Sequence, residues 1–115
     1  MAKWAVVGGE TDEPFNYSQW VEDKIVTSGT TRLVENTLGL CGEAGEVAEK
    51  IKKLMRDDTK FAPHEVLKEL GDVVFYVTAL ANYYGSNLGE VVLMNVEKLD
   101  SREKRGVLRG SGDNR

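Results

Sequence analysis

The chain has 115 residues, which suits one domain and leaves little room for a second. Hydrophobic residues make up 41% and charged residues 30%, the composition of a globular protein. The single cysteine excludes an internal disulfide framework, and the single histidine excludes zinc fingers and Glu-x-x-His di-iron pairs. No apolar run approaches about 20 residues, so we expect no membrane span, and the first residues lack the apolar stretch of a secretory signal. The single cysteine fits a reducing environment, so we expect a cytoplasmic location.

The net charge of −4 is distributed unevenly along the chain. Residues 1–97 hold 16 acidic and 9 basic side chains, whereas residues 98–115 hold 3 acidic and 6 basic ones. An acidic body does not suit a phosphate backbone, so we expect no nucleic-acid partner. The basic end has two interpretations, a solvated tail or an anion clamp that folds over a site.

Hydrophobic spacing predicts an all-α chain with one short and three longer helices. The four helices are predicted at residues 16–26, 32–55, 63–84 and 87–105. Asn16 and Asn87 are predicted helix caps because each is followed three residues later by Gln or Glu. Gly85 is expected to end the third helix. An irregular arm (1–14) and a flexible basic tail (106–115) complete a predicted single domain spanning residues 1–115.

The second predicted helix carries a wide apolar stripe. This stripe includes Val34, Cys41 and Ile51, and we expect it to face the core, with Cys41 acting as a small buried hydrophobe. A chain of this size buries a small core, so a wide apolar face would gain from burial in an oligomer.

Two pairs of carboxylates stand three residues apart, Glu43 with Glu46 and Glu69 with Asp72. On a helix such residues share one face, about 5–6 Å apart at Cβ, so each pair can bind one cation. Glu69 projects into the apolar arc of its helix, where a carboxylate is costly unless it is paired or metal-bound. All-oxygen ligation suits Mg²⁺ or Mn²⁺. The alternative, solvated helix charges with partners four residues away, stays open on the residues alone.

The segments around both pairs resemble the MazG-like nucleoside triphosphate pyrophosphohydrolases of the all-α NTP pyrophosphatase superfamily. The resemblance rests on Leu-Cys-Gly-Glu-Ala-Gly-Glu-Val at 40–47, Lys-Glu-Leu-Gly-Asp-Val at 68–73, and Asn-Val-Glu-Lys-Leu-Asp-Ser-Arg at 95–102. The last segment, 105–115, resembles the tails of short phage-type members, so the host cytoplasm is a further expected location. Together the resemblance covers residues 32–115.

The resemblance implies a four-helix bundle completed by dimerisation or tetramerisation. It also implies Mg²⁺-dependent cleavage of a nucleoside or deoxynucleoside triphosphate between the α and β phosphates, giving a monophosphate and pyrophosphate. The implied metal ligands are the four paired carboxylates, Glu43, Glu46, Glu69 and Asp72. The implied substrate-binding residues follow on the last helix: Asn95, Lys98, Arg102 and Arg105. Glu43 is the candidate to orient or deprotonate the attacking water.

Many relatives carry an additional glutamate directly before the first motif glutamate, where this chain has Gly42. Two hypotheses from other classes remain open beside the enzyme. One is a non-catalytic nucleotide or alarmone binding module on the same fold. The other is a structural helical dimerisation domain with surface carboxylates.

Overall fold

The computed structural model describes residues 15–57 and 63–106, which form four helices. In chain order these are α1 (Tyr17–Lys24), α2 (Gly29–Asp57), α3 (Pro63–Tyr83) and α4 (Leu88–Lys104). No strand occurs in these two stretches, so the predicted all-α class is confirmed. The predicted arm (1–14) and all but the first residue of the predicted tail (106–115) lie outside the described residues. No helix in the described part of the chain is long and apolar enough to cross a membrane.

Side-chain caps and one glycine set the ends of three helices. Asn16 Oδ1 accepts a hydrogen bond from the first turn of α1 at 3.0 Å, and Asn87 Oδ1 accepts one from the Glu90 backbone N–H at 2.9 Å. Both predicted caps are therefore confirmed. Gly85 has a φ of 77°, and the Ser86 N–H donates back to the last turn of α3 at 2.9 Å. Gly85 thus ends α3 as predicted, because the left-handed backbone there suits glycine.

The α2 helix begins three residues before its predicted start. Gly29, with a φ of 58°, is its first residue, and the Arg32 N–H donates to the Ser28 carbonyl at 3.1 Å. This bond closes a first helical turn over Thr30 and Thr31, which precede the predicted start of the helix. The added turn places Arg32 inside the helix rather than at its start.

The helices α2 and α3 pack as an antiparallel pair. Arg32 reaches the Ala79 carbonyl near one end of the pair, whereas Gly39 lies against the Tyr76 ring closer to its middle. A Cβ added at Gly39 would have three carbons of that ring within 2.8 Å. Gly39 therefore permits a close approach of the two helices one turn before Glu43.

The apolar core of the described residues is small. Its buried apolar residues lie in α1, in the C-terminal half of α3 and at the start of α4: Val21, Ala79, Ala81 and Leu88. The α2 stripe is only partly buried: Leu40 and Val47 are half-buried, whereas Val34 and Ile51 are 49% and 44% exposed. Cys41 is an exposed free thiol, so the expectation that it is buried was wrong. Val34 and Cys41 lie opposite Arg32 and Gly39 on the helix, so α3 leaves them uncovered.

Candidate metal centre

Three carboxylates meet between α2 and α3. Glu43 comes from α2, Glu69 and Asp72 come from α3, and each offers one oxygen within 4.8 Å of the other two. Glu43 and Glu69 are half-buried and Asp72 is exposed. The antiparallel pairing brings the helices into this register, and the spacing of three residues puts both α3 carboxylates on one face. We call these three residues the carboxylate cluster.

The electrostatics of the carboxylate cluster favour a cation. Burial raises the pKa of Glu43, and the negative charges of Asp72, Glu69 and Glu46 raise that pKa further, as does a hydrogen bond shared with Glu69. Glu46, the fourth predicted ligand, is exposed and is not one of the three residues whose oxygens meet. Its charge nevertheless acts on Glu43, so it lies at the edge of the same negative region.

Four aromatic rings contact one another in a row that reaches from α1 to the turn of α3 after Asp72. Tyr17 stacks on Trp20 with ring centroids 5.7 Å apart, Trp20 meets the edge of Phe75 at 6.2 Å, and Phe75 meets Tyr76 at 5.3 Å. Phe75 and Tyr76 follow Asp72 by one helical turn, which places them beside the carboxylates. Burial and, to a lesser extent, the charge of Asp72 raise the pKa of Tyr17. We call these four residues the aromatic cluster.

A buried arginine joins α1 to the α2–α3 pair. Arg32 is 9% exposed, and its two terminal nitrogens each donate to one oxygen of Glu22 at 2.7 Å. It also donates to the Ala79 carbonyl at 3.2 Å, and its guanidinium lies 5.9 Å from the Tyr83 ring centre. Hydrogen bonding from Arg32 is the main cause that lowers the pKa of Glu22, and Asn82 donates to the same carboxylate at 3.2 Å.

Sequence reasoning missed this arrangement and the aromatic cluster. No short motif links Arg32 to Glu22, since the two lie on different helices ten residues apart. A signal did exist for Tyr76, which follows Asp72 by four residues and therefore shares its helix face. Trp20 is 41% exposed, which no motif around it in the sequence indicates.

The predicted substrate-binding residues lie on α4 or at its end. Asn95 and Lys98 are exposed and line a groove of about 860 Å³ between α3 and α4. Arg102 is 4% exposed, and the Arg105 Nε donates to the Ser101 carbonyl at 3.3 Å. The four predicted metal ligands lie on α2 and α3 instead. The predicted phosphate-binding groups and the predicted metal ligands are therefore on different helices.

A second cavity, of about 750 Å³, is lined by the start of α1 and the turn between α3 and α4. Neither this cavity nor the α3–α4 groove is lined by a member of the carboxylate cluster. We place the candidate site at the carboxylates because clustered acidic oxygens need a cation or a proton, whereas a cavity of this kind needs neither.

Comparison with known proteins gives a consistent result. The model of the MazG nucleotide pyrophosphohydrolase domain matches residues 33–107, which contain both carboxylate pairs. The "Gene 37 protein" of Mycobacterium phage L5 is 49% identical over 83 residues, covering 69% of this chain and 73% of that protein. No solved structure matches the chain. Because the domain model matches residues 33–107, which is more than half of the chain, the chain belongs to the MazG nucleotide pyrophosphohydrolase family.

Proposed function

We propose that the protein hydrolyses nucleoside or deoxynucleoside triphosphates to a monophosphate and pyrophosphate, with Mg²⁺ or Mn²⁺ as cofactor. The observation that carries this proposal is the carboxylate cluster, three acidic side chains within 4.8 Å in a region that matches the family. Carboxylates alone would repel a triphosphate. A cluster of this kind therefore serves a polyphosphate only when cations neutralise it.

The donor set fits a hard divalent cation. Glu43, Glu69 and Asp72 supply oxygens only, which is the ligand type that Mg²⁺ and Mn²⁺ prefer. Glu46, whose charge already reaches Glu43, is the proposed fourth ligand. A cation bound here supplies charge neutralisation for the phosphates and lowers the pKa of a water molecule.

The proposed reaction needs no covalent nucleophile from the protein. A water oxygen forms a bond to the α phosphorus, and the bond from that phosphorus to the α–β bridging oxygen breaks. Pyrophosphate leaves with the bridging oxygen, and the water gives up its proton to a base. Glu43 is the carboxylate proposed to orient or deprotonate the water, because it is half-buried and reaches the two α3 carboxylates from the opposite helix.

The basic and amide groups of α4 are the proposed phosphate contacts. Guanidinium groups bind phosphate oxygens in pairs, and an ammonium group neutralises them as a point charge. Negative charge that develops on pyrophosphate as it leaves would be stabilised by such groups. The residues proposed for this role are Asn95, Lys98, Arg102 and Arg105.

A second copy of the chain is the proposed partner of the exposed α2 stripe. Val34 and Met55 lie near its two ends and are 49% and 79% exposed, and the exposed Cys41 and Ala48 lie between them. An antiparallel pairing of two α2 helices matches Val34 of one copy with Met55 of the other, and Cys41 with Ala48. Such a stripe is self-complementary, as a two-fold interface requires, and exposed apolar surface of this extent marks an interaction site.

The enzymatic proposal is tested with a panel of nucleoside and deoxynucleoside triphosphates in Mg²⁺ and ¹⁸O-labelled water. We expect monophosphate and pyrophosphate as the only products, with the label in the monophosphate because the α phosphorus is attacked. Glu69→Gln should lower kcat/KM at least about 100-fold, since it removes a proposed ligand. The control Glu35→Gln removes an exposed carboxylate on α2 that is outside the cluster and should leave the rate unchanged.

Three results would contradict the proposal. Orthophosphate and a diphosphate would place the attack at the γ phosphorus. Tight nucleotide binding without turnover would favour a binding module. Dimerisation without either nucleotide binding or turnover would favour a structural domain.

A further inference from the structure

The short helix α1 brings aromatic surface to the carboxylate cluster. Trp20 is 41% exposed, stacks on Tyr17 and meets the edge of Phe75, which lies one turn from Asp72. Tyr17 stacks on the Trp20 indole, and Lys24 Nζ lies over the same ring, 5.2 Å from its centre. The part of the indole that stays exposed is placed to contact the nucleoside of a metal-bound triphosphate, because bases pack against aromatic rings. The position of α1 therefore bears on nucleotide binding.

Intrinsic helical preference does not hold α1 in place. The helix has 8 residues, well below the roughly 12–15 needed for marginal stability in isolation. Val21 is the one α1 residue that is fully buried. Besides Val21 and the contact of Trp20 with Phe75, polar contacts with the rest of the chain hold α1 in place.

Those polar contacts converge on Glu22 and Ser18. Arg32 donates two hydrogen bonds to Glu22 at 2.7 Å, Asn82 donates to the Ser18 carbonyl at 2.9 Å, and the Leu88 N–H donates to Ser18 Oγ at 3.1 Å. The Arg32 contact is charge-assisted and bidentate, which makes it the strongest of the set.

Arg32 is itself fixed by residues of α3. Its guanidinium donates to the Ala79 carbonyl at 3.2 Å, lies over Tyr83 and is almost fully buried. The planar, multidentate guanidinium is suited to bridging two elements at once, and lysine cannot reproduce this geometry. The position of Glu22, and with it the angle of α1, is therefore set from the same α2–α3 pair that carries the carboxylate cluster.

We propose that Arg32 is a positioning residue for nucleotide binding. Through Glu22 it holds α1 so that Tyr17 and Trp20 stand beside the carboxylate cluster, where Trp20 contacts the nucleoside. Arg32 does not touch the substrate. This proposal rests on the proposed function, since it takes a metal-bound nucleoside triphosphate as the ligand.

The experiment uses the full chain carrying Trp4→Phe, so that Trp20 is the single fluorophore of its kind. Into this background are placed Arg32→Gln, Arg32→Lys and Glu22→Gln. The control is Glu49→Gln, which breaks the exposed pair between Glu49 and Lys52, whose charged atoms are 3.9 Å apart. Each variant is assayed for Trp20 quenching by acrylamide, for kcat and KM, and for binding of a Mg²⁺-loaded triphosphate analogue with a non-hydrolysable α–β bridge.

We expect Arg32→Gln and Glu22→Gln to make Trp20 more accessible to acrylamide. They should raise KM and the analogue Kd about tenfold and leave kcat at saturation within about twofold. Arg32→Lys keeps the charge but loses the two parallel hydrogen bonds to Glu22, so its KM and Kd should lie between those of wild type and Arg32→Gln. The control Glu49→Gln should match wild type. The double variant Glu22→Gln/Arg32→Gln should add little to either single change, because both remove one contact.

The outcomes separate this proposal from the proposed function. A wild type that binds the analogue but does not hydrolyse triphosphates would refute the enzymatic proposal and leave the Kd comparison intact. The role of Arg32 would be overturned if the variants made Trp20 more accessible to acrylamide but left the analogue Kd unchanged. It would also be overturned if they raised the analogue Kd but left the quenching of Trp20 unchanged. If Arg32→Gln does not fold, the milder Arg32→Lys and Glu22→Gln decide by the same two criteria.

Discussion

The contact between Gly39 and Tyr76 gives a prediction whose size follows from the structure. An alanine methyl at Gly39 would have three ring carbons of Tyr76 within 2.8 Å, so the ring or the backbone must move, at a cost of about 1–3 kcal/mol. Replacing glycine in a helix interior returns about 1 kcal/mol. At Gly42 a new methyl meets no atom within 4 Å, so Gly42→Ala keeps this gain. Gly39→Ala should therefore be about 1–3 kcal/mol less stable than Gly42→Ala.

Urea denaturation followed by circular dichroism measures this difference in the free energy of unfolding. In thermal melts it corresponds to about 4 °C per kcal/mol at this chain length. Because Gly39 precedes Glu43 by one turn, Gly39→Ala should also weaken the stabilisation by Mg²⁺. Adding Tyr76→Leu should recover part of the lost stability, since it removes the ring. Equal stability of Gly39→Ala and Gly42→Ala would refute the inference that close packing at Gly39 sets the helix spacing.

Three further predictions concern the metal, the pH and the tail. Millimolar Mg²⁺ should raise the melting temperature because it relieves repulsion among the carboxylates, and Glu69→Gln should abolish the shift; calorimetry with an EDTA control measures it, and no shift in wild type would contradict the site. Arg32 lowers the pKa of Glu22 below its ordinary value of 4.5, so the pair stabilises the fold above that pH and its contribution is lost as the pH falls through the lowered pKa. Urea midpoints from pH 7 to pH 3 should fall less in Glu22→Gln than in wild type, and parallel curves would contradict this. If the basic end acts as an anion clamp, deleting residues 106–115 should raise KM for the triphosphate roughly tenfold with little change in melting temperature. Unchanged kinetics would favour the other interpretation, a solvated tail.

Local chemistry made the helices predictable. Asn16, Asn87 and Gly85 act at helix ends as their sequence context indicates, because capping depends on residues within one turn. The i,i+3 spacing of Glu69 and Asp72 likewise fixes a shared face before any tertiary contact is known. These features need only the chain direction and 3.6 residues per turn.

The tertiary contacts were not predictable in the same way. Hydrophobic periodicity states that α2 has an apolar face, but it does not state whether the same chain or another copy covers that face. Val34 and Cys41 were therefore assigned to a core, although both are exposed in the single chain. The pairing of Arg32 with Glu22 depends on how two helices cross, which no local pattern encodes.

The two sides of α2 explain how so small a chain can hold an acidic site. The side that faces α3 carries Arg32, Gly39 and Glu43, which fix α1, set the helix spacing and supply a carboxylate. The apolar residues near that side, such as Leu40 and Val47, are only half-buried, so their burial adds a limited hydrophobic stabilisation. The opposite side carries exposed apolar residues such as Leu38 and Met55, 65% and 79% exposed. Burial of that stripe against a second copy would add hydrophobic stability that the polar side facing α3 does not supply. Formation of the dimer would then also stabilise the helices that carry the candidate site.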